Sequence, residues 1–106
     1  MKEKEYFKYL DASQSDRLRL RIRIEKGKVV DVVVQYESLI KESWKQIVRY
    51  DCAHGFFHRD IISPDGNKEK QAIAIQDMAT ALTYAEQDLK DRWEFYKAKY
   101  LKKLKQ

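Results

Sequence analysis

Hydrophobic and polar residues alternate strictly in the segment "RLRLRIRIE", from Arg17 to Glu25. Successive side chains of a strand point to opposite faces, so the aliphatic residues share one face and the arginines share the other. The sequence therefore predicts a strand with one buried face and one basic face. Residues 1–16 show no comparable pattern, and we interpret them as an N-terminal extension that docks loosely or forms a helical turn.

More strand-like segments follow this one. The segment "KGK" around Gly27 is typical of a tight turn, and "VVDVVVQY" after it predicts the second strand of an antiparallel hairpin. The runs "WKQIVRYD" and "FFHRDIIS" predict the third and fourth strands, and "KEKQAIAI" predicts a weaker fifth strand after the turn "PDGN". We therefore expect a β-meander over residues 17–75.

From Asp77 onwards the spacing of apolar residues becomes helical. Apolar side chains recur every three or four residues from Met78 to Leu104, and Asp77 is suited to be the N-cap. The predicted fold class is α+β: an antiparallel β-meander of four to five strands with one long C-terminal helix, over residues 76–104, packed across one face. The chain, residues 1–106, is expected to be a single domain.

The end of this helix would project past the sheet. A helix of nearly 30 residues is about 42 Å long, whereas a strand of eight residues covers only ~27 Å. The apolar stripe around Trp93, Tyr96 and Tyr100 would then lie uncovered, so we predict a homodimer with these residues at the interface. The alternative is that the last two turns fray.

Charge and cysteine content narrow the class of protein. The formal net charge is +5, and lysines crowd the C-terminal end of the chain. Such an end can attract nucleic acid, an acidic protein or an anionic surface, or it is simply a solvated helix end. A single cysteine fits a reducing compartment. No apolar run approaches the ~20 residues of a membrane span, so we expect a cytoplasmic protein without membrane contact.

Reactive side chains concentrate in the segment "RYDCAHGFFHRDIISPDG", which contains both histidines of the chain, His54 and His58. Histidine titrates near neutral pH, so the two rings could serve as acid and base in RNA cleavage. Asp51 could orient one of the rings. Arg49 and Arg59 would then bind the phosphate.

Two other interpretations of this segment stand beside the acid–base one. Its aspartates and histidines could hold a metal ion, but His-x3-His is a metal signature on a helix, and Cys52 lacks a second cysteine. We expect neither a metal nor a cofactor. In the other interpretation the aspartates pair with arginines and the histidines pack against aromatic rings, without a function. The strand register is left open, with Arg49 or Val48 opposite His58.

The arginine face of the first strand also has two interpretations. Arg19 and Arg21, with the arginines beside them, could follow the phosphate backbone of RNA while Tyr36 or Trp44 stacks on bases. The arginines could instead pair with acidic residues or lie over apolar surface.

The segment "VRYDCAHGFFHRDIISPDGNKEK" resembles the core of an uncharacterised family of small prokaryotic proteins. Its pattern is R-Y-D, A-H-G, H-x-D and P-D-G, followed in the helix by Asp88-Leu89 and Trp93. A looser resemblance, over strands two to four, is to TumE-type toxins of prokaryotic toxin–antitoxin modules, although this chain lacks a second histidine directly beside the first. That resemblance implies a protein directed at RNA or at an antitoxin-like protein partner.

Two functions are therefore expected. The first is a toxin-like protein directed at RNA, either as a metal-independent ribonuclease or as an RNA binder. The second is a non-catalytic dimeric or partner-binding module that uses the long helix.

Overall fold

The computed structural model describes residues 1–52 and 55–105, and within them six strands form one sheet that is followed by one long helix. The elements are β1 (Lys2–Tyr9), β2 (Asp16–Glu25), β3 (Lys28–Ile40), β4 (Ser43–Asp51), β5 (His58–Ile62), β6 (Lys68–Ala72) and α1 (Met78–Leu104). Each strand pairs antiparallel with the next one in sequence, so the strand order is β1-β2-β3-β4-β5-β6. The predicted α+β class with an antiparallel meander is confirmed, with one strand more than expected.

The additional strand is β1, and the prediction of a loose segment or helical turn there was wrong. Its sequence, "KEKEYFKY", is too polar for the hydrophobic alternation that marks a half-buried strand. The strand instead pairs its backbone with β2, and its glutamates face the arginine row: Glu3 lies opposite Arg23, and Glu5 lies opposite Arg21. Opposite charges across two strands stabilise such a pairing.

The hairpin of β2 and β3 follows the sequence prediction. Lys26 and Gly27 both have positive φ angles, 52° and 76°, as the central residues of a type I′ turn require. In β2, Leu18 and Leu20 are completely buried, whereas Arg19 is exposed. The period of two therefore separates a buried face from a basic face, as expected.

Helix α1 lies across one face of the sheet, mainly over β3 and β4. It begins where predicted, because the carboxylate of Asp77 accepts a hydrogen bond from the amide of Thr80 at 3.0 Å. Five helix residues are buried against the sheet: Ala81, Ala85, Leu89, Tyr96 and Tyr100.

The residues predicted to form a dimer interface lie inside the chain instead. Tyr96 and Tyr100 are only 2% and 7% exposed, and the ring of Trp93 packs edge-on against Tyr36, with centroids 6.2 Å apart. The prediction that Tyr96 and Tyr100 lie past the sheet was wrong, since β3 has 13 residues rather than eight, whereas Leu104 in the last turn is 37% exposed. Such a strand is about 43 Å long, which matches a helix of about 40 Å. The homodimer itself stays a prediction.

Residues directly opposite each other on neighbouring strands point to the same side, so the register divides the sheet into two faces. We call the side under α1 the helix face and the other side the open face. The helix face carries Leu20, Val34 and Tyr50, and the open face carries Arg19, Gln35 and Arg49.

Candidate nucleic-acid interface on the open face

The register of the β4–β5 hairpin brings Asp51 and His58 directly opposite each other. Both pairings considered from the sequence, with Arg49 or Val48 opposite His58, were wrong. The connection between the strands covers residues 52–57 and is longer than the loop we assumed. His54, the predicted catalytic partner of His58, falls in this connection and lies outside the described residues.

The ring of His58 is enclosed by its neighbours on the open face. His58 is 1% exposed, and its Nε2 lies 2.8 Å from Asp51 Oδ1 and 3.7 Å from Asp60 Oδ2. The ring of Phe56 lies against it, with centroids 5.5 Å apart. Asp51 thus orients this imidazole, but the ring does not present itself to a ligand on the sheet surface.

A chain of side-chain hydrogen bonds crosses the open face from β4 to β2. Arg49 donates through Nε to Asp51 at 2.7 Å and through Nη1 to Gln35 Oε1 at 2.9 Å. Gln35 donates to the carboxylate of Glu37, which also accepts a hydrogen bond from Arg17 Nε at 2.8 Å. Because Arg49 has a partner on each side, its guanidinium is held in one orientation.

Arg19, Arg21 and Arg49 converge on a shallow groove of about 210 Å³ in the open face, which Glu5 also lines. A second depression of about 160 Å³ continues this groove along Arg21 and Arg49 to Asp51. The structure therefore brings together three of the four arginines that the sequence predicted as phosphate ligands. They come from two strands, β2 and β4, and a third strand, β3, lies between them.

Two carboxylates of β1 form ion pairs with the two arginines of β2 that line the groove. Arg19 Nη2 lies 2.7 Å from Glu5 Oε1, and Arg21 Nε lies 3.6 Å from Glu3 Oε1. The hydrogen bonds that Arg19 donates to Glu5 raise the pKa of Arg19, whose side chain stays a cation. All four side chains are about half exposed. Ion pairs in such positions contribute about 0–1 kcal/mol, so another anion can replace the carboxylates.

Arg59, the fourth predicted phosphate ligand, lies on the helix face. Its Nη1 donates to the hydroxyl of Tyr96 at 3.0 Å and lies 3.6 Å from Asp88 Oδ2. The hydroxyls of Tyr50 and Tyr96 donate to the same Asp88 oxygen at 2.7 and 2.8 Å. Burial, with this hydrogen bond to Asp88, raises the pKa of Tyr96 to about 12. Arg59 thus belongs to a partly buried polar cluster between α1 and the sheet, away from the groove.

Trp44, which the sequence predicted as a stacking residue, belongs to an aromatic cluster at one end of the open face, whereas the role of Phe7 and Tyr9 there was missed in the sequence. The Arg17 guanidinium carbon lies 4.2 Å from the ring centroid of Phe7 and 3.7 Å from that of Trp44. Phe7 and Tyr9 are 43% and 46% exposed. Their spacing of two residues was the available signal, but it has meaning only once residues 1–16 are known to contain a strand. Tyr36, the other predicted stacking residue, is buried on the helix face.

The metal and thiol interpretations of the sequence concern Cys52 and the carboxylate and imidazole groups near it. Among the described residues, no group of three His, Cys, Asp or Glu side chains is arranged to hold a metal ion. Burial raises the pKa of the Cys52 thiol, and its Sγ lies 3.0 Å from the sulfur of Met78. A thiol with a raised pKa is a poor nucleophile at neutral pH.

Comparison with known proteins identifies a family for this chain. Over residues 1–52 and 55–105, no helix combines the length and apolar character needed to cross a membrane. No curated protein and no solved structure matches the chain at a significant level. One family model, described as "Domain of unknown function (DUF7718)", matches residues 1–106. The chain therefore belongs to the DUF7718 family, an uncharacterised family.

Proposed function

We propose that the open face of the sheet binds RNA without cleaving it. The observation that supports this proposal is the convergence of Arg19, Arg21 and Arg49 on one groove. Contacts between cationic side chains and phosphates supply most of the affinity in sequence-independent binding. The resemblance to TumE-type toxins points to the same class of ligand.

The burial of His58 supports binding rather than cleavage. A general acid or base must approach the proton it transfers to within about 3 Å between heavy atoms. His58 is 1% exposed, and its Nε2 already faces Asp51 at 2.8 Å. We assign His58 a positioning role: its Nε2 contacts Asp51, and Asp51 holds Arg49 at the groove. The catalytic role of His54 stays a prediction from the sequence.

The alternative function is a partner-binding module built on α1, whose predicted interface consists of Trp93, Tyr96 and Tyr100. Trp93, Tyr96 and Tyr100 pack against the sheet of their own chain. A homodimer and an antitoxin-like partner therefore stay predictions for which no surface is assigned.

The proposal is tested by fluorescence anisotropy with a labelled single-stranded RNA of about 12 nucleotides, within the range of known single-strand sites. The double variant R19Q/R21Q is compared with K2Q/K4Q, which removes the same charge from exposed positions of β1 that lie on the helix side. We expect R19Q/R21Q to weaken binding about tenfold and to lower the salt slope by about two. The control should change affinity less than about twofold.

Two results would overturn the proposal. Equal losses in R19Q/R21Q and K2Q/K4Q would mean that binding follows net charge and not the groove. Cleavage of the RNA in the presence of EDTA would mean that the chain is a metal-independent ribonuclease after all.

A further inference from the structure

We infer that the aromatic cluster beside the groove stacks on unpaired bases, so that the RNA bound by the open face is single-stranded. This inference rests on the proposed function and narrows its ligand. The cluster consists of Phe7 and Trp44 around the guanidinium of Arg17, with Tyr9 directly opposite Arg17 on β1.

The aromatic cluster adjoins the basic groove within the same strand pairing. Phe7 of β1 lies directly opposite Arg19, which lines the groove, and Tyr9 lies directly opposite Arg17. Side chains two residues apart on a strand are about 7 Å apart, so Phe7 and Tyr9 can each contact a different base. A nucleic-acid strand in the groove can therefore place phosphates on the arginines and bases on the rings.

Arg17 makes the cluster a rigid platform. Its guanidinium lies between the rings of Phe7 and Trp44, and its Nε donates to Glu37 at 2.8 Å. A cation stacked between two aromatic faces is held by both of them. The ring of Phe7 is nevertheless 43% exposed, so a base can extend the existing stack of Trp44, Arg17 and Phe7. Little side-chain freedom is lost on binding, which favours affinity.

The exposure and the charge of this surface together indicate which ligand it binds. Phe7 and Tyr9, two residues apart on the open face of β1, are 43% and 46% exposed, and exposed apolar side chains that lie together mark binding surfaces. The arginines beside it call for an anion, and a single-stranded nucleic acid offers both an apolar surface and a negative charge. In an RNA duplex the flat faces of the bases are already stacked on each other, so a duplex offers its phosphates and 2′-hydroxyls but no free base face for stacking.

The test compares three ligands: a single-stranded RNA of about 12 nucleotides, an abasic oligomer with the same number of phosphates, and an RNA duplex of about 12 base pairs. We expect the single strand to bind about tenfold more tightly than either of the others, because each stacked base adds to the affinity. Equal binding of all three would overturn the inference but leave the proposed function standing. Failure of all three to bind would overturn both.

Two variants test whether a base stacks on the ring of Phe7. F7L keeps an apolar side chain on β1 but removes the ring, and F95L does the same at an aromatic residue of α1 that is 55% exposed. We expect F7L to weaken single-strand binding about tenfold and to leave binding of the abasic oligomer unchanged, while F95L changes neither. Unchanged single-strand binding in F7L would overturn the inference. The inference would also be overturned if light scattering showed that the wild type is a dimer and that F7L is a monomer, because a second copy of the chain would then cover the patch.

Discussion

The two faces of this sheet use arginine–carboxylate pairs in different ways. On the helix face, the side chains of Arg59 and Asp88 are 13% and 11% exposed, and both contact the hydroxyls of two tyrosines, Tyr50 and Tyr96. On the open face, Arg19 and Glu5 are 49% and 44% exposed. A buried charge needs its partner, because leaving it unpaired is costly. An exposed pair contributes little and can be exchanged. The same interaction therefore holds the fold on one face and leaves the other face able to bind an anion.

Replacing Asp88 with alanine should have the largest effect, because it leaves Arg59 and two tyrosine hydroxyls without their shared carboxylate. We expect the free energy of unfolding, measured with urea, to fall by about 3–5 kcal/mol. The matched control is Asp91→Ala, which removes an exposed carboxylate from the same helix and should cost less than about 0.5 kcal/mol. A similar small loss in both variants would contradict the distinction between the two faces.

Replacing His58 with alanine tests whether a buried side chain on the open face also stabilises the fold. Although His58 lies on that face, it is 1% exposed and its Nε2 lies 2.8 Å from Asp51 Oδ1. Leaving the Asp51 carboxylate without this donor should lower stability by about 1–3 kcal/mol, and the melting temperature falls with it. Lys70→Ala, an exposed change on β6, should leave the melting temperature nearly unchanged. An unaltered melting temperature in His58→Ala would indicate a residue kept for chemistry.

Alkaline pH should weaken the helix face. The pKa of Tyr96 is about 12 in the fold, whereas an unperturbed tyrosine has a pKa of about 10. Because the fold favours the protonated hydroxyl, this stabilising contribution is complete below pH about 10 and is lost as the pH rises to about 12. The urea midpoint should fall in that window, and less so in Tyr96→Phe. Parallel profiles for the two proteins would contradict this role of Tyr96.

Replacing Glu5 with glutamine should have the smallest effect on stability, since it breaks only an exposed pair with Arg19. The free energy of unfolding should change by less than about 1 kcal/mol. RNA affinity, measured by anisotropy, should rise by up to about fivefold, because a carboxylate no longer competes with phosphate. Weaker RNA binding in Glu5→Gln would show that the pair shapes the groove instead of competing for it.

The elements that form the core could be predicted because burial imposes its period on the sequence. The alternation in β2 and the helical spacing after Asp77 follow from packing against one another. β1 could not be predicted in this way, since its residues are mostly exposed and its partner is the backbone of β2. Its signal was electrostatic: Glu3 and Glu5 repeat at the period of the arginines they face.

The arrangement of the candidate site depends on the strand register, which the periodicity of the sequence does not determine. A shift of one residue between β4 and β5 would exchange their faces. The length of the connection after Asp51 therefore decided both that His58 meets Asp51 and that Arg59 lies on the helix face. The predicted grouping of Arg19, Arg21 and Arg49 did not depend on this register, because β2 and β4 both pair with β3.

The two tryptophans of the chain report separately on the two faces of the sheet. Trp44 lies on the open face beside Arg17, and Trp93 lies on α1 against Tyr36. The most direct measurement is a titration of the isotope-labelled protein with single-stranded RNA, in which the two indole N–H signals are followed by NMR. Binding to the open face predicts that the Trp44 signal shifts while the Trp93 signal stays in place. A shift of Trp93 alone, or of neither signal, would contradict that account.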